Sequence, residues 1–175
     1  SWLLVGDHTL GSYEFSYRGT GTFSFSGAGH LDGPVVKGAD GVSRGTVVLD
    51  QGDTAMLYVY VTNVSVSDPL SDLHLISPGY SVDTNQVYTT TYLDKLQPFS
   101  VLRTLDLSRA NSTLEVQWSD RTQPGSWTVA GQPDSWESII ALGNEAQKDL
   151  WINVPALASD DYVRQLAKLF HDTLD

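Results

Sequence analysis

Three apolar stretches determine the predicted fold of the second half of the chain: Leu73-His-Leu-Ile-Ser77, Val101-Leu-Arg-Thr-Leu-Asp-Leu107 and Leu150-Trp-Ile-Asn-Val154. Each stretch is typical of a strand and precedes a helical pattern, the last of them over residues 160–174. Alternating strands and helices indicate a parallel sheet that is covered by helices. Three such units are too few for a closed (β/α)8 barrel of about 250 residues. We therefore predict that residues 71–175 form the first three β/α units of an incomplete TIM-like barrel.

The first 70 residues follow a different, two-residue periodicity. Aromatic and polar residues alternate in Tyr13-Glu-Phe-Ser-Tyr17 and in Thr22-Phe-Ser-Phe-Ser26, as they do in half-buried strands. A longer strand is predicted over residues 55–62, and no helical pattern separates these strands. The predicted fold class is therefore α/β with an N-terminal antiparallel region, in which a sandwich-like segment (1–70) precedes the barrel units (71–175).

The charge and the residue types exclude several classes of partner. The chain has 10 basic and 21 acidic residues and a net charge of −11, which argues against binding to nucleic acid or to an anionic membrane. No apolar run approaches the ~20 residues of a membrane span. The chain has no cysteine, its four histidines are scattered, and it contains no phosphate or dinucleotide motif. We predict neither a metal site nor a cofactor.

Two further features favour a secreted protein. The chain begins at Ser1 without a methionine, which is consistent with removal of a signal peptide. The sequons at Asn63 and Asn111 are candidate sites of N-glycosylation.

Candidate site residues follow from the rule that chemistry in parallel α/β folds lies at the carboxyl ends of the strands. A long loop after the second strand, residues 108–131, would contribute to the same rim. Asp106 is the favoured site residue and a candidate catalytic group, with a salt bridge or a loop cap as the alternative. The predicted substrate-binding residues are Arg103, Asp106, Trp118, Asp120, Arg121 and Asn153.

The tryptophans divide into two groups. Trp118 and Trp127 are candidate platforms for sugar rings, whose CH-rich faces stack on indoles, with core packing as the alternative. Trp136 and Trp151 are expected in the core.

Arg121 also has two interpretations. Its guanidinium could bind the hydroxyls or a carboxylate of a ligand, and an ion pair with Asp120 or Glu115 is equally compatible with the sequence.

An ordered series of motifs covers the second half of the chain. It consists of Leu96-Gln-Pro-Phe-Ser-Val-Leu-Arg-Thr-Leu-Asp106, Trp118-Ser-Asp-Arg121, Trp136-Glu137 with Ala141-Leu-Gly-Asn-Glu145, Asp149-Leu-Trp-Ile-Asn-Val-Pro155 and Ala158-Ser-Asp-Asp-Tyr-Val163. The series resembles a little-characterised group of secreted proteins with a glycoside-hydrolase-like (β/α)8 barrel, often described through attached cellulose-binding modules. One departure is Leu107, where the group usually has tryptophan.

The resemblance implies an N-terminal β-rich segment, a barrel, and a fourth strand that carries an Asn-Glu pair. The chain ends at Asp175, before that strand, so the expected catalytic acid would come from the remaining barrel half. The resulting prediction is the N-terminal part of a secreted glycoside hydrolase that acts on a polysaccharide, with a β-glucan such as cellulose as one candidate. Two alternatives are a non-catalytic carbohydrate-binding or cell-surface protein completed by other chains, and a small stand-alone α/β domain.

Overall fold

The computed structural model describes residues 2–4, 9–51, 56–81, 84–126 and 131–175. Trp127 and Ala55, which belong to predicted features, lie outside these ranges. The chain divides into two compact units, Ser1–Thr84 and Asn85–Asp175. Antiparallel sheets and four α-helices occur in the described ranges, which confirms the prediction of a mixed α/β protein with an antiparallel N-terminal region. No helix in these ranges is long and apolar enough to cross a membrane.

The first unit consists of two antiparallel sheets. One has three strands in the order β1-β7-β3, and the other has the order β4-β6-β2-β8, with β5 paired to β6. The strands are β1 (Trp2–Leu4), β2 (Gly11–Arg18), β3 (Thr22–Gly27), β4 (Gly29–Leu31), β5 (Val36–Lys37), β6 (Ser43–Leu49), β7 (Leu57–Thr62) and β8 (Ser71–Ile76).

Aromatic side chains fill the space between the two sheets. The alternating pattern of β2 directs Tyr13, Phe15 and Tyr17 into one core, where Phe23 of the other sheet meets them. The ring centroids of Phe15 and Phe23 lie 4.9 Å apart, and those of Tyr17 and Phe23 lie 4.6 Å apart. Val47 of β6 completes this core, so the two sheets pack face to face as a sandwich.

The predicted first barrel strand, residues 73–77, belongs to this sandwich, and its prediction as a parallel strand is wrong. Residues 73–76 lie within β8, which pairs antiparallel with β2, and Phe15 is opposite Leu75. Leu73 and Leu75 pack on the sandwich core, and His74 between them is exposed. This alternation fits a half-buried antiparallel strand, whereas a parallel strand is usually apolar on both faces. The first unit accordingly extends to Thr84 and not to residue 70.

The second unit contains one pair of parallel strands. Its strands and helices are α1 (Thr90–Leu96), β9 (Val101–Arg103), α2 (Leu105–Ser108), α3 (Trp136–Ala146), β10 (Asp149–Trp151) and α4 (Asp160–Thr173), with a 3₁₀ turn at Trp118–Asp120. Leu150 is paired with Leu102, and Trp151 with Arg103. The connection from β9 to β10 runs through α3, which is the β-α-β arrangement expected for parallel strands.

A serine is the N-cap residue of each of the two long helices. Ser135 Oγ accepts a hydrogen bond from the backbone N–H of Ser138 at the start of α3, and Ser159 Oγ accepts one from Tyr162 at the start of α4. The predicted strand over residues 101–107 is wrong in its second half, because β9 ends at Arg103 and α2 follows.

The helices cover one face of the parallel pair. Leu102 of β9 packs with Leu142 and Ala146 of α3. A second cluster joins Trp136 of α3 to Tyr162 of α4, and Leu150 of β10 packs against it. Since side chains alternate along a strand, Arg103 and Trp151 are directed to the opposite face.

Candidate functional site

Arg103 and Trp151 form an exposed pair on the face of β9 and β10 that the helices leave uncovered. They are register partners in the parallel pair, and the Cζ atom of Arg103 lies 5.3 Å from the centroid of the Trp151 ring. The indole is 58 % exposed. A large exposed indole beside a cation presents an apolar plane and hydrogen-bond donors at one place.

Sequence reasoning assigned Trp151 to the core, and that assignment is wrong. The neighbouring residues Leu150 and Ile152 face the helices, so a strand of period two turns Trp151 away from them. Trp136 is 3 % exposed, which confirms its predicted place in the core. Leu150, Trp151 and Ile152 form a continuous apolar run, so no polar alternation in the sequence indicated that Trp151 is a surface residue.

Asp106 lies at the carboxyl end of β9, in the first turn of α2. The chain turns into this helix at Thr104, which is 1 % exposed and whose N–H donates to the carbonyl of Trp151 at 3.1 Å. Asp106 itself is exposed. It lines an open pocket of about 300 Å³, together with Leu105, Arg109, Asn111 and Ser112.

Asn153 follows β10 and is linked to the same helix. Its carbonyl accepts a 3.1 Å hydrogen bond from Ser108 Oγ, which also donates to the carbonyl of Leu105 at 3.2 Å. The side-chain Oδ1 of Asn153 is buried and has no partner among the described residues. The carboxyl ends of the two parallel strands are therefore linked through α2.

Trp118 and Arg121 contact each other beside the start of α3. The Arg121 Cζ atom lies 4.3 Å from the Trp118 ring centroid, and Arg121 Nη2 donates to Glu137 Oε1 at 2.8 Å. The Arg121 side chain is only 10 % exposed. Its ion-pair partner is thus Glu137 and neither Asp120 nor Glu115, the two partners that the sequence suggested.

Three buried polar atoms of this ion pair have no hydrogen-bond partner in the part of the chain that the structure describes. They are Nε and Nη1 of Arg121 and Oε2 of Glu137. Each has less than 1 Å² of accessible surface, so a ligand reaches them only if neighbouring groups move.

Asp120 caps its own 3₁₀ turn. Its Oδ2 accepts the N–H groups of Gln117 at 2.7 Å and Val116 at 3.2 Å. These two hydrogen bonds hold the pKa of the Asp120 carboxyl below its ordinary value. The other carboxylate oxygen, Oδ1, lies 3.5 Å from the hydroxyl of Ser119.

A buried hydrogen-bond chain holds the loop before this turn against α3 and α4. The phenol of Tyr162 donates to Glu115 Oε2 at 2.6 Å and accepts from the indole Nε1 of Trp136 at 2.7 Å. Burial and, next, the hydrogen bond to Glu115 raise the pKa of Tyr162. The Trp118 ring meets Tyr162 edge to face at 5.3 Å. No sequence motif indicated these hydrogen bonds, because Glu115, Trp136 and Tyr162 lie far apart in the sequence.

The six predicted residues therefore fall into two groups. Arg103 ends β9, Asn153 follows β10, and Asp106 lies in α2 just after β9, whereas the sequence placed it in the strand. Asp120 hydrogen-bonds within its own loop, Trp118 contacts Arg121, and Arg121 is paired with Glu137 of α3. Direct contact of these three residues with a ligand stays a prediction.

The two sequons differ in their surroundings. Asn111 is exposed beside the Asp106 pocket. Asn63 is also exposed, has a left-handed φ of 55°, and donates from Nδ2 to Thr22 Oγ1 at 3.2 Å. Their glycosylation stays a prediction.

Among the described residues, no group of three or more His, Asp or Glu side chains is placed to hold a metal ion. A scan against protein-family models and searches of curated proteins and solved structures found no match to this chain.

Proposed function

We propose that the chain is the N-terminal part of a secreted glycoside hydrolase and that its second unit supplies part of a polysaccharide-binding rim. The observation that carries this proposal is the exposed indole of Trp151 beside Arg103, on the uncovered face of a parallel strand pair. An indole offers the CH-rich face of a sugar a rigid apolar plane. The adjacent guanidinium offers donors to its hydroxyls.

In this proposal β9, α3, β10 and α4 are consecutive β/α units of a barrel. Two features of the described residues support it: the strands are parallel, and α3 and α4 pack on the same face of the pair. In a barrel the other face would be turned inward, and the active site would lie at the carboxyl ends of the strands. The remaining strands would come from the other barrel half or from another chain.

Asp106 is the proposed site carboxylate. It lies at the carboxyl end of β9 in an open pocket of about 300 Å³. Hydrolysis of a glycosidic bond ordinarily uses two carboxylates, about 5–9.5 Å apart. Asp106 is the one carboxylate among the residues that line this pocket. The partner carboxylate would then belong to the rest of the barrel, and Asp106 would orient a sugar hydroxyl or serve as one member of the pair.

The single carboxylate also favours a second candidate, a non-catalytic carbohydrate-binding or cell-surface protein. The two functions share the binding face and differ in chemistry. Release of reducing sugar from a bound polymer, by this chain or by a longer polypeptide that contains it, would select the enzyme. Binding of the polymer by both polypeptides without such release would select the binding protein.

Affinity electrophoresis tests the shared binding step. The full chain is run through native gels that contain hydroxyethyl cellulose, mixed-linkage β-glucan or xyloglucan, and its retardation gives a dissociation constant. We expect Trp151→Ala to weaken binding about tenfold, which corresponds to the loss of one aromatic stacking contact. Val163→Ala is the control, since Val163 is exposed to 42 % on α4, which packs on the other side of the strand pair. Equal retardation of Trp151→Ala and the wild type would contradict the proposal.

A further inference from the structure

Two tyrosines stand on the outer face of the three-stranded sheet in the first unit. In the central strand β7, Leu57 and Val59 point into the sandwich core, while Tyr58 and Tyr60 point outward and are 36 % and 42 % exposed. Their ring centroids are 6.5 Å apart, and the ring planes differ by 21°. The outer face therefore carries two nearly parallel aromatic rings in a row.

Hydroxyl side chains surround these rings on the neighbouring strand. In β3, Ser26 is the register partner of Tyr58 and Ser24 is the partner of Tyr60, and both serines are exposed. Thr22 and Thr62 form the next pair along the same face. The inward residues of β3, between these positions, are phenylalanines that pack on the core.

This face is uncharged in a strongly acidic protein. The outward residues of β3 and β7 in the described ranges are only Ser, Thr and Tyr, although the whole chain has a net charge of −11. Charged side chains usually occupy such a solvated face, so their absence here favours a ligand that is itself neutral.

Several polar groups of this face are available to a ligand. The structure shows no hydrogen bond from the side-chain hydroxyls of Ser24, Ser26 or Tyr60 to any other described residue. Tyr58 makes only a long contact, 3.9 Å, to the sulfur of Met56. The face thus combines apolar planes with free hydroxyl donors and acceptors.

We propose that this outer face, formed by Tyr58, Tyr60, Ser24 and Ser26, binds a neutral polysaccharide chain. The CH-rich faces of successive sugar rings pack on the two phenol rings, and the serine hydroxyls bond the sugar hydroxyls. A protein partner fits less well, because the core of a protein interface is apolar, whereas the outward residues of β3 and β7 are Ser, Thr and Tyr. The proposal rests on the first unit alone and is independent of the Trp151 site.

The test measures binding of the full chain to neutral and anionic polymers by affinity electrophoresis. Hydroxyethyl cellulose is the neutral probe, and polygalacturonate is the anionic one. We expect Tyr58→Ala/Tyr60→Ala to weaken binding to the neutral polymer at least about tenfold. Tyr58→Phe/Tyr60→Phe keeps the rings and is expected to retain most of the affinity. Val163→Ala, on α4 of the second unit, is the control, since Val163 is as exposed as Tyr60, at 42 %.

Combination with Trp151→Ala separates this proposal from the function proposed above. If both surfaces bind, each set of substitutions weakens binding and the combined variant loses most of it. If Trp151→Ala alone abolishes binding, the outer-face proposal is overturned and the Trp151 site stands. If only the tyrosine substitutions matter, the Trp151 site fails and the outer face stands.

Three other results would also overturn the outer-face proposal. The first is unchanged binding by the double alanine variant when its circular dichroism matches that of the wild type. The second is equal affinity of the Trp151→Ala variant for polygalacturonate and hydroxyethyl cellulose. The third is a dimer, seen by light scattering, that the double alanine variant converts to a monomer, because the tyrosines would then cover a second copy of the chain.

Discussion

Tyr162 donates a 2.6 Å hydrogen bond from its phenol oxygen to Oε2 of Glu115, in the interior of the second unit. Tyr162 is fully buried and Glu115 is 8 % exposed. This bond fixes the loop that leads to Trp118 against α4, and the indole of Trp136 extends it to α3. The position of the loop therefore depends on the buried carboxylate of Glu115. This group must keep its hydrogen-bond donor, because burial of an unpaired polar group is costly.

Tyr162→Phe is expected to destabilise the protein by about 1–3 kcal/mol, because it removes only the hydroxyl and leaves Glu115 and the Trp136 N–H without this partner. Urea unfolding of the full chain, followed by tryptophan fluorescence, measures the change. Tyr92→Phe removes a hydroxyl from an exposed tyrosine and should leave the midpoint unchanged. A Tyr162→Phe midpoint equal to that of the wild type would show that the buried chain adds no stability.

Glu137→Ala is expected to destabilise the second unit by about 2–4 kcal/mol. It leaves the guanidinium of Arg121, which is 10 % exposed, without its carboxylate. The value lies toward the lower end of the range for a broken buried pair because Glu137 is 31 % exposed. The measurement is again urea unfolding of the full chain.

Arg164→Ala is the matched control for that ion pair. Arg164 bonds to Asp161 at 3.2 Å on the surface of α4, and its side chain is 72 % exposed. Loss of such a surface pair should cost less than about 1 kcal/mol. Equal effects of the two substitutions would contradict the structural role assigned to Arg121 and Glu137.

Alkaline pH should destabilise the second unit through Tyr88. Burial, and then the nearby charge of Asp134, raise the pKa of Tyr88 from 10.0 to about 12. The folded protein disfavours the tyrosinate form of Tyr88. Its contribution to the free energy of unfolding is therefore complete below pH 10 and is lost as the pH rises from 10 to about 12. Unfolding free energies measured across this window should fall.

Tyr88→Phe identifies the source of that pH dependence. The substitution should reduce the fall in unfolding free energy between pH 10 and about 12. It should also remove one tyrosinate from the absorbance titration at 295 nm at the upper end of the window. A tyrosinate that forms near pH 10 and disappears in Tyr88→Phe would contradict the burial of this phenol.

Gly27→Ala should destabilise the sandwich more than Gly33→Ala. Both glycines have positive φ angles, 81° and 86°, so both substitutions pay about 1–2 kcal/mol of backbone strain. A Cβ atom at Gly27 would also lie 2.1 Å from the carbonyl oxygen of Met56, whereas at Gly33 it would meet no atom within 4 Å. Equal unfolding midpoints for the two variants would contradict the close approach of the chain at the end of β3.

The sequence predicted features that depend on local pattern. The alternating aromatics of β2 and β3 indicated an antiparallel β region, and the helical spacing over residues 160–174 corresponds to α4, Asp160–Thr173. Both are properties of one strand or one helix, because periodicity determines which face is buried.

Features that depend on distant partners could not be predicted in the same way. Residues 73–77 have the position of a first barrel strand, but their pairing with β2, more than 50 residues earlier, decides their sheet. Arg121 is paired with Glu137 across a loop, where sequence proximity had suggested Asp120 or Glu115. The exposure of Trp151 depends on which face of β10 the helices cover.

The most direct test of the proposed function is the NMR signal of the Trp151 indole N–H during titration with a soluble β-glucan oligosaccharide. Trp151→Phe assigns the signal, and the buried indole of Trp136 is the internal reference. We expect the Trp151 signal to shift and to saturate with the binding curve, while the Trp136 signal stays in place. An unshifted Trp151 signal at saturating oligosaccharide would contradict it.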